Sequence, residues 1–308
     1  MDSRGSSRGG RQVNLRVSRE LGGDRSRTVV GPLGVQVLEG LRALRLSLDE
    51  TAQGTAFDLT FEATAPPHAR LPMMHLVRDG QVINHTCHFN QSGQVRGWVV
   101  VAGERFEVTP DRWWAVRDHS WGIREGVGGP PVEVDRPSDP NRPPARWRPA
   151  NPFIAAQFPE SYLFVLGAGR TGITGELIPT RDQTGSTVRM TSATLDLKVQ
   201  PGTIKLAGAE AVLSDESGRQ YALTAEPWAT FYLAGGGYGG HGGFWHGRHR
   251  GAYHEEGETW DLGDLGLIAR IAGRDDHVCL FRLDGTVGYG VFELGLRGQE
   301  PYAPFGEA

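Results

Sequence analysis

The chain has 308 residues and a mass of 33.5 kDa, 38% of it hydrophobic and 22% charged, which suffices for one large core or two of ordinary size. Its 44 glycines and 19 prolines break the backbone too often for long helices or a coiled coil. The formal charge of -4 removes overall charge as a route to nucleic acid, and the longest apolar runs fall far below the roughly 18 residues that cross a bilayer.

Residues 1–28 carry seven arginines against Asp2, Glu20 and Asp24 on a Gly- and Ser-rich background, and the composition predicts a disordered or loosely attached segment. No apolar run there reads as a secretory signal. The two cysteines, Cys87 and Cys279, are too few and too far apart for a zinc site or a disulfide framework, so a cytoplasmic location is expected.

From Gly31 onward, short runs rich in Val, Leu, Ile, Phe, Trp and Thr alternate with Gly, Asp, Pro or Ser at intervals of roughly 8 to 12 residues, the pattern of an antiparallel sandwich or barrel. Residues 41–48 and 56–63 show a period of two, as half-buried strands do. Residues 94–101 and 105–108, around the turn Ala102-Gly103-Glu104, predict a hairpin. The segment 128–149 contains seven prolines and reads as a loop, since proline lacks the ladder donor. Strands are expected again at residues 153–158, 162–167, 194–199, 203–206, 221–224, 230–233, 260–262, 267–271, 278–283 and 287–296. The division drawn is a first β-rich unit at 29–160 and a second at 161–308.

The densest chemistry lies at residues 113–124, where Asp118 and His119 stand among Trp113, Trp114, Trp121, Arg117 and Arg124. In a strand, Arg117, His119 and Trp121 share one face and Trp114, Asp118 and Ser120 the other, so Asp118 and His119 meet only across a bulge. A carboxyl against indole rings in an apolar pocket has its charged form disfavoured and can act as a general acid. The competing reading is structural: Asp118 paired with Arg117 or Arg124, and His119 bonded to a buried carbonyl.

The hexapeptide Arg117-Asp118-His119-Ser120-Trp121-Gly122 resembles the Asp-His-x-Trp-Gly motif of the lipocalin-like superfamily of carotenoid 1,2-hydratases and AttH-type proteins, which also holds kievitone hydratases and cyclases of the Diels-Alderase type. The order of residues 237–247, 257–262 and 284–293 looks like the second module of bacterial two-module members. The resemblance implies an all-β chain of two tandem lipocalin-like barrel or sandwich modules with a ligand cavity between or within them. It also implies that the motif carboxyl, here Asp118, protonates an alkene and that water captures the resulting cation.

Four histidines in fourteen residues, His241, His246, His249 and His254, with Glu255 and Glu256, invite a metal reading, but the Gly-rich stretch offers no helix for an i, i+4 zinc pair. No metal and no organic cofactor are expected. Gly235-Gly236-Gly237 is not followed by Lys-Ser/Thr, so a lid or tight hairpin fits it better than a phosphate cradle. His88 shares a strand face with Asn84 and Thr86 and reads equally as a core or a cavity histidine. Tyr289 and Glu293 alternate in phase and are assigned to a barrel interior, with Tyr238 and Trp245 reaching it from the Gly-rich loop. The reading is a cofactor-independent hydratase, dehydratase, isomerase or cyclase for a hydrophobic unsaturated molecule such as a terpenoid or polyketide. Asp118 and His119 are its catalytic pair. Trp114, Trp121, Arg117, His88, Tyr238, His241, Trp245, His246, Tyr289 and Glu293 bind the substrate, with no nucleic acid or transmembrane partner and with monomer or homodimer left open. The alternative is a protein that binds a lipophilic ligand and leaves it unchanged.

Overall fold

Period-two alternation becomes strand almost throughout the computed structural model, which describes residues 10–24, 26–124, 127–129, 150–167, 173–200 and 205–295 and is nearly all β. One antiparallel sheet of eight strands comprises β2 (Val29–Val30), β3 (Leu33–Glu39), β4 (Ala43–Leu48), β5 (Ala56–Ala63), β6 (His68–Arg78), β7 (Gln81–Val101), β8 (Glu104–Val108) and β9 (Trp114–Ile123). Its organising element is β7, 21 residues long. One edge of β7 pairs first with β6 and then with β5, while the other pairs with β9 and then β8. The expected hairpin is present: Ala102 and Gly103 form a two-residue loop at φ 52° and 81°, a twist that suits the flanking strands.

A closed antiparallel barrel follows, made of β10 (Ala150–Gln157), β11 (Ser161–Gly167), β12 (Ile173–Pro179), β13 (Val188–Val199), β14 (Leu206–Asp215), β15 (Gln220–Tyr232), β17 (Arg274–Leu283) and β18 (Thr286–Gly295). Its interior is occupied by side chains, among them Ile154, Phe158, Leu163, Met190, Phe281 and Phe292. Eight strands enclose a space that such residues fill, so the barrel is a core. A two-stranded ribbon, β1 (Arg11–Arg19) on β16 (Tyr253–Asp261), lies beside it. The barrel and the open sheet meet where Ala65 packs on Ala155, Tyr162, Phe164 and Ile178, with Val116 and Phe153 at the margin.

Several expectations are corrected. Residues 11–19 form a strand within the segment read as disordered, because Gln12 on its inner face clamps Tyr232, accepting from its N–H at 2.8 Å and donating to its carbonyl at 2.9 Å. Residues 265–271 form a short helix, α1 (Leu265–Ile271), capped by the Asp264 side chain, which accepts from the N–H groups of Gly266 and Leu267. The barrel begins with β10, ahead of residue 161. Most of the proline-rich loop, like residues 1–9, lies outside the described residues. Tyr289 and Glu293 do alternate in phase, but they point out of the barrel; Phe292 and Leu294 hold the interior.

The inward face of β17 carries Asp275 and His277 at one end of the core, in line with Cys279, Phe281 and Leu283. Burial pushes the Asp275 carboxyl up to about 7, with Asp276 adding to the rise. Burial likewise pulls the His277 imidazole down to about 4, helped by Lys205. Between about pH 4 and 6.5, folding therefore adds a proton to Asp275 and removes one from His277, and the two effects on stability cancel. Replacing Asp275→Asn leaves the depressed histidine alone, so stability should rise with pH across that window by up to about 1.4 kcal/mol per pH unit relative to wild type. His277→Gln leaves the raised carboxyl, and stability should fall with pH at a similar slope. Urea titrations from pH 4 to 7 measure both slopes; parallel profiles for the three proteins would contradict the assignment.

Candidate functional site

A buried polar row runs along one face of β7. Asn84, Thr86, His88 and Asn90 occupy alternate positions, and all four are buried. Strand geometry puts them in line, and cross-strand pairing brings His68, Arg70 and Met74 of β6 and Asp118, Ser120 and Gly122 of β9 onto the same face. Buried polar groups need partners. Thr86 donates to Asn84 Oδ1 at 2.8 Å, and His68 Nδ1 lies 2.5 Å from Glu176 Oε2 on β12. Tyr162, on the outer face of the barrel strand β11, donates to Asn90 Oδ1 at 2.8 Å. The tyrosine is wholly buried, and burial, aided by the charge of Asp118, holds its hydroxyl well above the usual range, so it remains a donor.

Asp118 joins this row through His88. Its Oδ1 lies 3.2 Å from His88 Nε2, and the Asn90 amide nitrogen is also 3.2 Å from that ring nitrogen. The two partners differ in access: the His88 side chain is 2% exposed and that of Asp118 51%. Phe153 and Phe164 flank the imidazole at centroid distances of 6.2 and 5.6 Å. His88 Nδ1 is buried with no hydrogen-bond partner. At this separation a sheltered imidazole and an accessible carboxyl are close enough to exchange a proton.

The strand reading of residues 113–124 holds in its geometry, because the β7–β9 register runs without a shift from His85–Ile123 to Gln94–Trp114. Asp118 and His119 therefore point apart. His119 lies on the opposite face, against Phe89 at 5.2 Å and Trp121 at 5.6 Å. Neither arginine takes the carboxyl: Arg117 donates to Gln91 Oε1 at 3.4 Å and lies over Phe89, while Arg124 donates to the Tyr238 hydroxyl at 3.3 Å. The expected indole wall around Asp118 is corrected too. Trp121 faces away from it, and Trp114, four residues along β9, meets Tyr289 edge-on at 5.3 Å; Tyr289 in turn touches Trp228 at 5.3 Å.

The Gly-rich segment forms a separate place. Tyr238 stacks on His246 at 4.7 Å, His241 meets Trp260 edge-on at 5.5 Å, and Trp245 and His246 line a cavity against β1. None of the four contacts Asp118 or His88 among the described contacts. No group of three or more His, Cys, Asp or Glu side chains among the described residues is arranged to hold a metal ion. Sequence reasoning missed Asn90, Tyr162 and Phe164. The run of polar side chains at every second position from Asn84 to Asn90 was the available signal for the first; the other two lie about seventy residues downstream.

The sequence profile of a family of unknown function, DUF8625, matches residues 3–307, and the chain belongs to that family. No curated protein matches it. Among solved structures, a crystal structure of a protein from Nitrosomonas europaea with the provisional name AttH aligns at 14% identity over 85% of this chain and 67% of its own length, with a TM-score of 0.48.

The glycine that ends the motif has a backbone role. Gly122 sits at φ 120°, and a Cβ there would lie 2.0 Å from the backbone oxygen of His85. Gly122→Ala should therefore part β9 from β7 and destabilise the fold by at least about 1–3 kcal/mol, seen as a lower melting temperature. Tyr162→Phe removes the hydrogen from a buried amide oxygen and should cost about 1–3 kcal/mol in urea unfolding. An unchanged midpoint in either variant would contradict the corresponding contact.

Proposed function

We propose that this member of the DUF8625 family is an acid/base enzyme without an organic cofactor that transfers a proton at Asp118 to a hydrophobic, unsaturated small molecule. The observation that carries the proposal is the 3.2 Å contact between the half-exposed Asp118 and the buried His88. Asp118 is the group a substrate can reach. His88 is the group that supplies or takes back its proton, and the Tyr162–Asn90 pair fixes the ring. The resemblance of residues 117–122 to the hydratase motif assigns the acid to the same carboxyl.

In the forward step the Asp118 O–H bond breaks as its hydrogen forms a C–H bond with one alkene carbon, leaving a cation on the other. For hydration, water adds to that cation and gives its extra proton back to the Asp118 carboxylate; loss of a neighbouring C–H proton to the same carboxylate gives isomerisation; and attack by an internal double bond closes a ring whose cation then loses a proton to it. The three outcomes share one proton donor. Met74 and Leu76, half-exposed on the same face as His88, suit an apolar substrate better than a polar one.

Incubating the protein in deuterium oxide with terpenoid and polyene substrates should place deuterium on carbon. Asp118→Asn should lower that rate by at least about 100-fold while ligand binding persists, and His88→Gln should lower it about 10-fold or more. Full turnover in Asp118→Asn would remove the carboxyl from the mechanism. A wild-type protein that binds these molecules tightly and releases them unlabelled would be a carrier.

A further inference from the structure

The cavity between β1 and the Gly-rich segment that follows β15 has a volume of about 740 Å³. Arg124, just past the end of β9, donates to Tyr238 of this segment, and neither Asp118 nor His88 lines the cavity. It is a different site from the proton-transfer pair.

Glu20 lines it and lies 3.2 Å from His249 Nε2. Arg16 takes up Glu256 at 2.8 Å and Glu258 at 2.7 Å. Arg250 is left with a nitrogen 3.9 Å from Glu256, and its Nε is buried with no hydrogen-bond partner. A guanidinium offers five donors and accepts nothing, so a buried N–H of this kind calls for an oxygen. Ser18 Oγ and both ring nitrogens of His246 are likewise buried without partners, and all three residues line the same cavity. The rest of the lining joins Arg19, Arg248, His249 and His254 to apolar and aromatic walls, Leu15, Val17, Trp245 and Phe244, the last held between the guanidinium groups of Arg16 at 4.8 Å and Arg250 at 4.5 Å.

We infer that this cavity binds an organic oxyanion, a phosphate or carboxylate head on an apolar body, with the head on Arg250, Ser18 and His246 and the body along Phe244 and Trp245. The left-handed glycines of the loop serve the same end. Gly237 has φ 91°, and a Cβ there would lie 2.5 Å from the His246 backbone nitrogen, so the close fold that turns His246 inward depends on the absence of a side chain.

Calorimetric titration of the full chain with n-octyl phosphate, octanoate and n-octanol tests the inference. One molecule of octyl phosphate or octanoate should bind per chain, more weakly as salt is raised, and octanol at least 10-fold more weakly. The stronger of the two anions identifies the head group. Arg250→Met should weaken anion binding at least 10-fold and Ser18→Ala several-fold, the latter without loss of thermal stability since its hydroxyl has no partner to lose. Asp118→Asn should bind as wild type does, which separates this site from the proposed reaction. Octanol binding as tightly as the anions, Ser18→Ala and a folded Arg250→Met both retaining wild-type affinity, or no binding at millimolar concentration would overturn it.

Discussion

The hydrogen bond from Tyr162 to Asn90 is the interaction on which the proposed proton-transfer site depends, because it crosses from the barrel to the open sheet and decides how the buried polar row is oriented. With the tyrosine hydroxyl occupying the amide oxygen, the amide nitrogen of Asn90 turns towards His88 Nε2, the same ring nitrogen that lies 3.2 Å from Asp118. Desolvation reinforces this order. A hydroxyl kept protonated by burial can only donate to that oxygen, and every later orientation in the row follows. The contact of His68 with Glu176 repeats the same crossing one strand away.

A second constraint is the filled barrel. Since side chains such as Phe281, Phe292 and Met190 occupy its interior, it is the outer face of the barrel that meets the open sheet. That is why Tyr289 meets Trp114 of the open sheet, and why Phe164 flanks an imidazole of the other sheet. Among the titratable groups left inside, Asp275 and His277 have pKa values displaced in opposite directions, towards the neutral form of each.

Much of the fold was legible because alternation is local. Residues 56–63 and the 101–104 turn read correctly from the sequence, as did the opposed faces of Asp118 and His119, since a period of two needs no knowledge of distant partners. Which histidine serves Asp118 was not legible. His119 is adjacent in sequence, whereas His88 comes next to it only through the β7–β9 register. The same limit explains β1, whose polar inner face finds its partner Tyr232 more than two hundred residues away. The helix at residues 265–271 was misread because five apolar residues in seven fit strand or helix alike, and the capping Asp264 decided between them.

The central claim is that His88 exchanges a proton with Asp118 across their 3.2 Å contact. Nitrogen-15 spectra of imidazole-labelled protein report the protonation and tautomer of each ring nitrogen directly, and comparing wild type with Asp118→Asn isolates the His88 resonances. A displacement of the Nε2 signal confined to His88, with the Nδ1 signal of the same ring responding in turn, is the result this account predicts. His88 resonances identical in the two proteins would contradict it.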